Sequence, residues 1–307
     1  LGRDRDAAAL TELLVSGDQR LVTVVGVGGV GKSRLAQCVA ANLHDSRMRV
    51  RWLSHDECPD EPTMGTESAV SWSDRPSLLV LDGYEPEPGF ARRVSALLSS
   101  CPSLRALVTA RAPLDVAGER TFPLRPLAVP PAQTGHAGDA AATAGFPAMA
   151  LLLRSARQFR PDFRPDATGV AALAAVCRRL DGIPAALTAA ASWLLVFEPS
   201  ELLDRVVADP FAIVAPELLG NPLAGVPERP LLDDLSAIDG TWSIAEAGDA
   251  TGAPLRACLR LVHWLAVRGV VGQDETGDDA RFRLLELVRA AYRAGRWHPG
   301  KMLAETN

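Results

Sequence analysis

Apolar residues follow two rhythms along this chain, and the change falls near residue 127. Before it, short apolar runs alternate with amphipathic stretches. Leu21–Val25 (LVTVV), Met48–Ser54, Ser77–Asp82 (SLLVLD) and Leu104–Thr109 (LRALVT) are short and mostly apolar, the pattern of buried strands. Between them, Asp6–Leu14, the stretch SRLAQCVAANL with Leu35, Val39 and Leu43 every four residues, and Ala91–Ser99 predict helices. Thr121–Leu127 (TFPLRPL) predicts an edge strand, since proline cannot donate to a central ladder. This alternation predicts an α/β layer fold with a mostly parallel sheet. The Pro-, Glu- and Ser-rich stretch from Asp56 to Asp74 predicts a loop or a poorly formed helix.

The second rhythm is helical. The Pro-, Gly- and Ala-rich segment Pro126–Gly145 reads as a linker. After it come predicted helices at Phe146–Phe159, with an apolar stripe of Met149, Leu152, Leu153 and Ala156, then Asp166–Leu180 and Pro184–Val196. Ala-rich helices of this kind pack closely as a small bundle. Phe211–Pro230 is proline-rich and predicts a loop. Short helices follow at Leu231–Ala237, Ser243–Ala250 and Pro254–Arg268, then two short strands around the charged turn QDETGDDA, then a helix from Leu285 to about Gly295. Three helices and a hairpin predict a winged-helix arrangement. The expected domains are therefore a P-loop domain at 1–130, a small helical domain at 131–205 and a winged-helix domain at 206–307.

Composition narrows the partners. The 307 residues carry 32 basic and 37 acidic side chains, a formal net charge of -5. No broad positive field recommends DNA, RNA or an anionic membrane. The turn in the predicted hairpin is acidic and the candidate recognition helix 254–268 is largely apolar, so direct DNA binding by this chain is not expected. A packing role against the nucleotide domain is. Five cysteines, at 38, 58, 101, 177 and 258, form no C-x-x-C pair and suit reduced residues of a cytoplasmic protein. The five histidines have no ligand spacing. No signal peptide or membrane-length apolar run is present. Position 1 is Leu and the motifs begin almost at once, as in a piece of a longer protein.

The chemistry gathers at strand ends. Gly26–Ser33 reads GVGGVGKS, the G-x-x-x-x-G-K-S phosphate loop, set between a predicted strand and a predicted helix as that motif requires. Gly26, Gly28, Gly29, Val30 and Gly31 let backbone amides converge on one anion, and the helix N-terminus adds its positive end. Lys32 is placed to reach the β- and γ-phosphates, and Ser33 to hold Mg²⁺. Asp82 ends an apolar strand, where it would support the same metal. Glu85, three residues on, is a candidate to polarise a water, or else a solvated loop acid beside Glu87. Arg111, just past another strand end, is a candidate contact for a γ-phosphate, or else a surface arginine.

Together these residues resemble the signal-transduction ATPases with numerous domains. They look most like the nucleotide-switch module of bacterial regulators with antibiotic-regulatory or LuxR-type DNA-binding domains, a module related to the plant resistance-protein and apoptosome (NB-ARC) ATPases. Leu1-Gly2-Arg3 with Asp6 is similar to the family's opening motif, whose arginine lies by the adenine. Gly26–Ser33 followed by Arg34-Leu35-Ala36 matches its phosphate loop. LLVLDGYE (78–85) resembles its acidic strand, and Leu107–Arg111 with Pro113-Leu114 and Gly118-Glu119 its sensor-arginine segment. Leu180–Leu187 (LDGIPAAL) resembles the motif whose proline, here Pro184, packs on the base. Phe282–Ala291 resembles the last motif of its winged helix.

Departures are visible too. Gly83 stands where the family has a polar residue, Ala185-Ala186 replaces a larger-then-small pair, and Pro216–Pro230 looks shortened. No histidine stands where some relatives contact the ADP β-phosphate; Arg283 and Arg289 are the basic residues nearest that role. The resemblance implies an ATP/ADP-dependent switch with Mg²⁺ and slow hydrolysis, gating an output domain outside this stretch and assembling into a nucleotide-dependent homo-oligomer. The competing expectation is a module that holds a nucleotide without hydrolysing it.

Overall fold

Five of the short apolar runs become strands of one parallel sheet in the computed structural model. The structure describes residues 2–16, 19–45, 48–54, 76–84, 88–132, 140–274 and 280–297. They divide into two units: an α/β unit of Arg3–Gly26 and Gly31–Leu124, and a helical unit of Leu1–Gly2, Val27–Val30 and Arg125–Asn307. The predicted loop at 56–74 lies outside the described residues.

In the α/β unit the elements are α1 (Asp4–Val15), β1 (Leu21–Val25), α2 (Lys32–Asp45), β2 (Arg49–Ser54), β3 (Ser77–Asp82), α3 (Pro88–Ser100), β4 (Leu104–Ala110) and β5 (Glu119–Pro123). The sheet order is β2-β3-β4-β1-β5, with every pair parallel. All five residues of β1 are buried, and so are Ser77–Leu81 of β3. Parallel strands covered on both faces need near-continuous apolarity, which only Thr23 and Ser77 interrupt in these two stretches. Leu35, Ala36, Val39, Ala40 and Leu43 form the buried face of α2. Phe90, Val94 and Leu98 of α3 pack in one core with Leu79, Leu81, Leu104 and Val108. β5 is the predicted edge strand, and its Pro123 ends it.

This order decides where chemistry can sit. β1 lies between β4 and β5, and β3 lies on the far side of β4. The connection leaving β1 runs to β2 at the far edge, whereas those from β2 through β5 all run the opposite way, so the connections leaving the carboxyl ends of the neighbours β1 and β4 run in opposite directions. Ligands of open parallel sheets bind at the carboxyl ends of strands beside such a point. Val25, Asp82 and Ala110 are the last residues of the three strands concerned.

The helical unit contains α4 (Ala140–Gly145), α5 (Pro147–Phe159), α6 (Ala167–Arg179), α7 (Pro184–Ser192), α8 (Pro199–Ala208), α9 (Arg229–Ala237), α10 (Ile244–Thr251), α11 (Leu255–Val267), β6 (Val271–Asp274), β7 (Arg281–Leu284) and α12 (Glu286–Arg293). Caps explain several starts. Asp166 accepts the Gly169 amide at 2.7 Å to open α6, and Ser243 with Glu246 forms a capping box for α10. Proline occupies the first turn of α5, α7, α8 and α9, where its missing N–H costs nothing.

Several sequence expectations change here. α4 lies inside the segment read as linker. The predicted helix 184–196 ends at Ser192 and tightens into a 3-10 turn at Trp193–Leu195. α8 was not read at all, and the supposed loop 211–230 includes a 3-10 turn at Pro216–Leu219. β6 and β7 pair as the expected antiparallel hairpin, with Val271 opposite Leu284. Trp242, 2% exposed, adds a third strand stub, exchanging backbone bonds of 2.9 and 2.8 Å with Phe282. Three helices, this small sheet and α12 make a winged-helix-like region. Cys101, Cys177 and Cys258 are buried and form no disulfide among the described residues, while Cys38 is exposed. Burial pushes the Cys177 thiol up to about 12, so it is an inert core group. Among the described residues no helix is long and apolar enough to cross a membrane.

Candidate functional site

β1 delivers the chain to Gly26, and α2 begins at Lys32. Gly29 and Gly31 lie in the left-handed region at φ 72° and 101°, where a side chain would be strained. The amides of Gly29, Gly31 and Ser33 meet no acceptor among the described residues. They stand at the N-terminal end of α2, whose first N–H groups have no partner in the helix. That is an anion-binding arrangement. Lys32 Nζ donates to the Gly26 carbonyl at 2.8 Å, which keeps the ammonium on the loop. Val30 is buried, and Arg34 is exposed in the first turn of α2.

Gly28 and Gly29 are small for a further reason. The Gly28 amide donates to the Leu219 carbonyl at 3.2 Å, and the Gly29 carbonyl accepts the Ala185 amide at 3.1 Å. A Cβ on Gly28 would lie 2.3 Å from the Leu218 oxygen, and one on Gly29 2.8 Å from the Ala185 Cβ. All of these residues belong to the helical unit.

Asp82, half-buried at the end of β3, accepts a 2.5 Å bond from the Thr109 hydroxyl, and that hydroxyl accepts the Gly83 amide at 2.9 Å. Thr109 therefore fixes both the carboxylate and the turn after it. The sequence reading gave Thr109 no role. Its signal was a polar residue near the end of an otherwise apolar strand, and it is 0% exposed. Tyr84 stacks on Phe90 with ring centroids 4.6 Å apart, closing the same turn. Glu85 lies outside the described residues.

Arg111 is exposed one residue past β4. The segment beyond it is shaped by Glu119, whose carboxylate accepts the amides of Leu114 and Asp115 at 2.9 and 2.8 Å. Lys32, Ser33, Asp82 and Arg111 thus share the carboxyl edge of one sheet. Arg3 stands immediately before α1 and pairs with Asp6 at 3.0 Å. Pro184 is half-buried at the first position of α7.

The basic residues considered for a phosphate role in the winged-helix-like region are both engaged. Arg283 pairs with Asp181 at 3.2 Å, and Arg289 pairs with Glu286 at 2.8 Å and with Asp239 at 2.5 Å. Asp181 is fully buried. Burial raises its pKa to about 6, against the pull of Arg283 and of the Leu287 and Glu286 amides. The sequence reading quoted Asp181 only as part of a motif.

The fit of this chain to a bound nucleotide rests on its own donors. Loop amides with no acceptor among the described residues, and a lysine, suit phosphate oxygens. The Ser33 hydroxyl and the Asp82 carboxylate are oxygen ligands of the kind Mg²⁺ accepts alongside water and phosphate.

Comparison with known proteins agrees with this description at the level of the fold. The Walker-type ATPase of Pyrococcus abyssi superposes with a TM-score of 0.53 at 14% identity, covering 94% of each chain. The chain carries a parallel α/β P-loop-type NTPase fold followed by helical segments and a small winged-helix-like region. No family model matches it. An uncharacterized protein of Mycobacterium tuberculosis is 29% identical over 288 residues, 82% of this chain and 68% of that one. A second protein of that organism, whose name assigns it to the HTH-type transcriptional regulators, is 29% identical over 306 residues, 88% of this chain but 33% of its own length.

Proposed function

We propose that this chain is the nucleotide-switch module of a multidomain transcription regulator, binding ATP or ADP with Mg²⁺ and hydrolysing ATP slowly. One observation carries the reading: a strand–glycine loop–helix, with Lys32 and with amides that meet no acceptor among the described residues, shares a sheet edge with Asp82, itself anchored by Thr109. The loop amides would hold the phosphates, and Lys32 would exchange its bond to Gly26 for one to a phosphate oxygen. Ser33 and Asp82 would support the metal. Arg111 would respond to the γ-phosphate, Arg3 would lie by the base, and Pro184 would pack on it. Magnesium supplies neutralisation of charge on the β- and γ-oxygens when bound.

The domain division at 130 and 205 belongs to this reading. So do a cytoplasmic location, a nucleotide-dependent homo-oligomer and an output domain in the longer protein, rather than specific DNA binding by residues 1–307. The named regulator among the relatives supports the transcriptional setting, and the motif likeness supports a switch of the antibiotic-regulatory or LuxR-type class within the wider NB-ARC-like group.

A second reading, a module that holds nucleotide without turning it over, is favoured by Gly83. That residue brings no polar side chain after Asp82 to orient a water; it is exposed, and a Cβ there would meet none of the described residues within 4 Å. Equilibrium titration with fluorescent ADP and ATP, followed by single-turnover phosphate release, separates the readings. Binding without release over hours favours the second. No binding of either nucleotide removes both.

A further inference from the structure

Asp181 is an unusual residue to find buried at a turn. It sits at φ 53°, just past the end of α6, where the Gly182 amide reaches back to the Cys177 carbonyl at 2.9 Å as in a left-handed helix cap. Its Oδ1 accepts Arg283 Nη1 of β7 at 3.2 Å, and its Oδ2 accepts the Leu287 amide of α12 at 2.9 Å. One carboxylate thus grips both the hairpin and the start of the last helix.

The turn around it has little freedom. The amides of Leu180, Asp181, Gly182 and Ile183 donate to Val176, Arg178, Cys177 and Leu180 at 2.9, 3.0, 2.9 and 3.0 Å. The Gly182 carbonyl accepts the Leu127 amide at 3.0 Å, and a Cβ on Gly182 would lie 2.1 Å from the Leu127 oxygen. Pro184 fixes the next backbone angle. Ala185 follows at once, and its amide holds the Gly29 carbonyl of the phosphate loop at 3.1 Å.

We propose that Asp181 is a positioning residue for the nucleotide site: it clamps β7 and the start of α12, and its rigid turn carries that clamp through Ala185 to Gly29. A displacement of α12 cannot be absorbed between residues 180 and 184, so it reaches the loop that is to hold the phosphates. The plainer account, in which Asp181 only caps α12, gives no reason for the bond from Ala185 to Gly29. This inference deepens the nucleotide-switch reading and rests on it for its consequence on binding.

The test compares wild type with Asp181→Asn, Arg283→Gln and the double variant in this whole chain. It measures amide hydrogen exchange at Leu287 and Ala185, and release of a fluorescent ADP analogue. Coupling predicts faster exchange at both amides in Asp181→Asn and release faster by about tenfold, a typical coupling between sites. It also predicts a double variant no faster than Asp181→Asn alone. Faster exchange at Leu287 with unchanged exchange at Ala185 and unchanged release would reduce Asp181 to a cap and overturn the proposal. Should Asp181→Asn not fold, Arg283→Gln removes only the half-exposed pair and is judged by the same two amides. Should the wild type bind no nucleotide, the switch reading falls, and the Ala185 exchange alone still decides whether the clamp reaches the loop.

Discussion

Two glycine turns of this chain use the same backbone trick for opposite ends. The phosphate loop after β1 and the turn from Leu180 to Pro184 both place residues in the left-handed region, Gly29 and Gly31 in one, Asp181 and Gly182 in the other. In the loop, three amides meet no acceptor among the described residues. In the turn, every amide from 180 to 183 is bonded within the protein, and its acid is buried against an arginine and a helix start. A turn that leaves donors unpaired at a helix N-terminus is suited to a ligand, whereas one that satisfies them all is suited to bearing load. Glycine alone does not tell the two apart; the accounting of donors does.

That contrast breaks most easily at Lys32. Lys32→Ala removes the cation from the loop together with its bond to the Gly26 carbonyl. ATP affinity should fall by about 2–5 kcal/mol, the usual loss for a charge-assisted contact, with thermal stability nearly unchanged. Calorimetric titration beside a melting curve checks both. Unchanged affinity would mean that the loop is no ligand site. The load-bearing turn should respond the other way. Gly182→Ala drives a Cβ to 2.1 Å from the Leu127 oxygen at φ 66°, and should cost about 3 kcal/mol of folding stability from clash and strain together. Gly83→Ala, at φ 77° with none of the described residues within 4 Å of the new Cβ, should cost only about 1 kcal/mol. Equal losses in denaturant melts would contradict the assignment of load to Gly182.

Legibility in the sequence followed the same division. Buried parallel strands announce themselves, so LVTVV, SLLVLD and LRALVT were read within a residue of their ends, and the phosphate loop carries its own spacing. Thr109 escaped because its partners are Asp82 and Gly83, 27 and 26 residues away in sequence. Nothing local marks such a bond. Asp181 escaped for the same reason, with partners 102 and 106 residues on. α8 was missed because prolines and a charged face hid its stripe of Leu202 and Val206. The Trp242 stub pairs through single bridges to Phe282 and has no periodicity of its own.

Protonation offers a gentler probe of the load-bearing turn. Burial lifts the Asp181 pKa from 3.8 to about 6. The folded chain therefore holds this proton more tightly than the unfolded chain. The contribution of this group to stability is complete below about pH 4 and is lost as the pH rises through about 6, a change of at most ~3 kcal/mol. Arg283 and Glu286 face it from β7 and α12, and Arg179 lies near Glu286 at 3.9 Å. The unfolding free energy of wild type minus that of Asp181→Asn should accordingly decline between pH 4 and 7. A flat difference would place Asp181 in a more solvated setting than its geometry describes.

The smallest effect sharpens the comparison furthest, because it separates holding a carboxylate from holding the fold. Thr109→Val keeps the shape of a fully buried side chain and deletes one hydroxyl. That hydroxyl makes two bonds, to Asp82 and from Gly83. Gly83 is exposed, so its amide finds water, and Asp82 is half-buried and keeps partial hydration. The stability loss should stay near 1 kcal/mol, the net value of an ordinary hydrogen bond. Nucleotide binding should respond only where the metal takes part: affinity with Mg²⁺ should drop several-fold, by about 1 kcal/mol, while affinity with chelator present stays at the wild-type value. Titrations of ADP with and without Mg²⁺ on both proteins give the four numbers needed. Equal losses in both conditions would make Thr109 a support of the loop region as a whole, and Asp82 would then lose its claim to the metal.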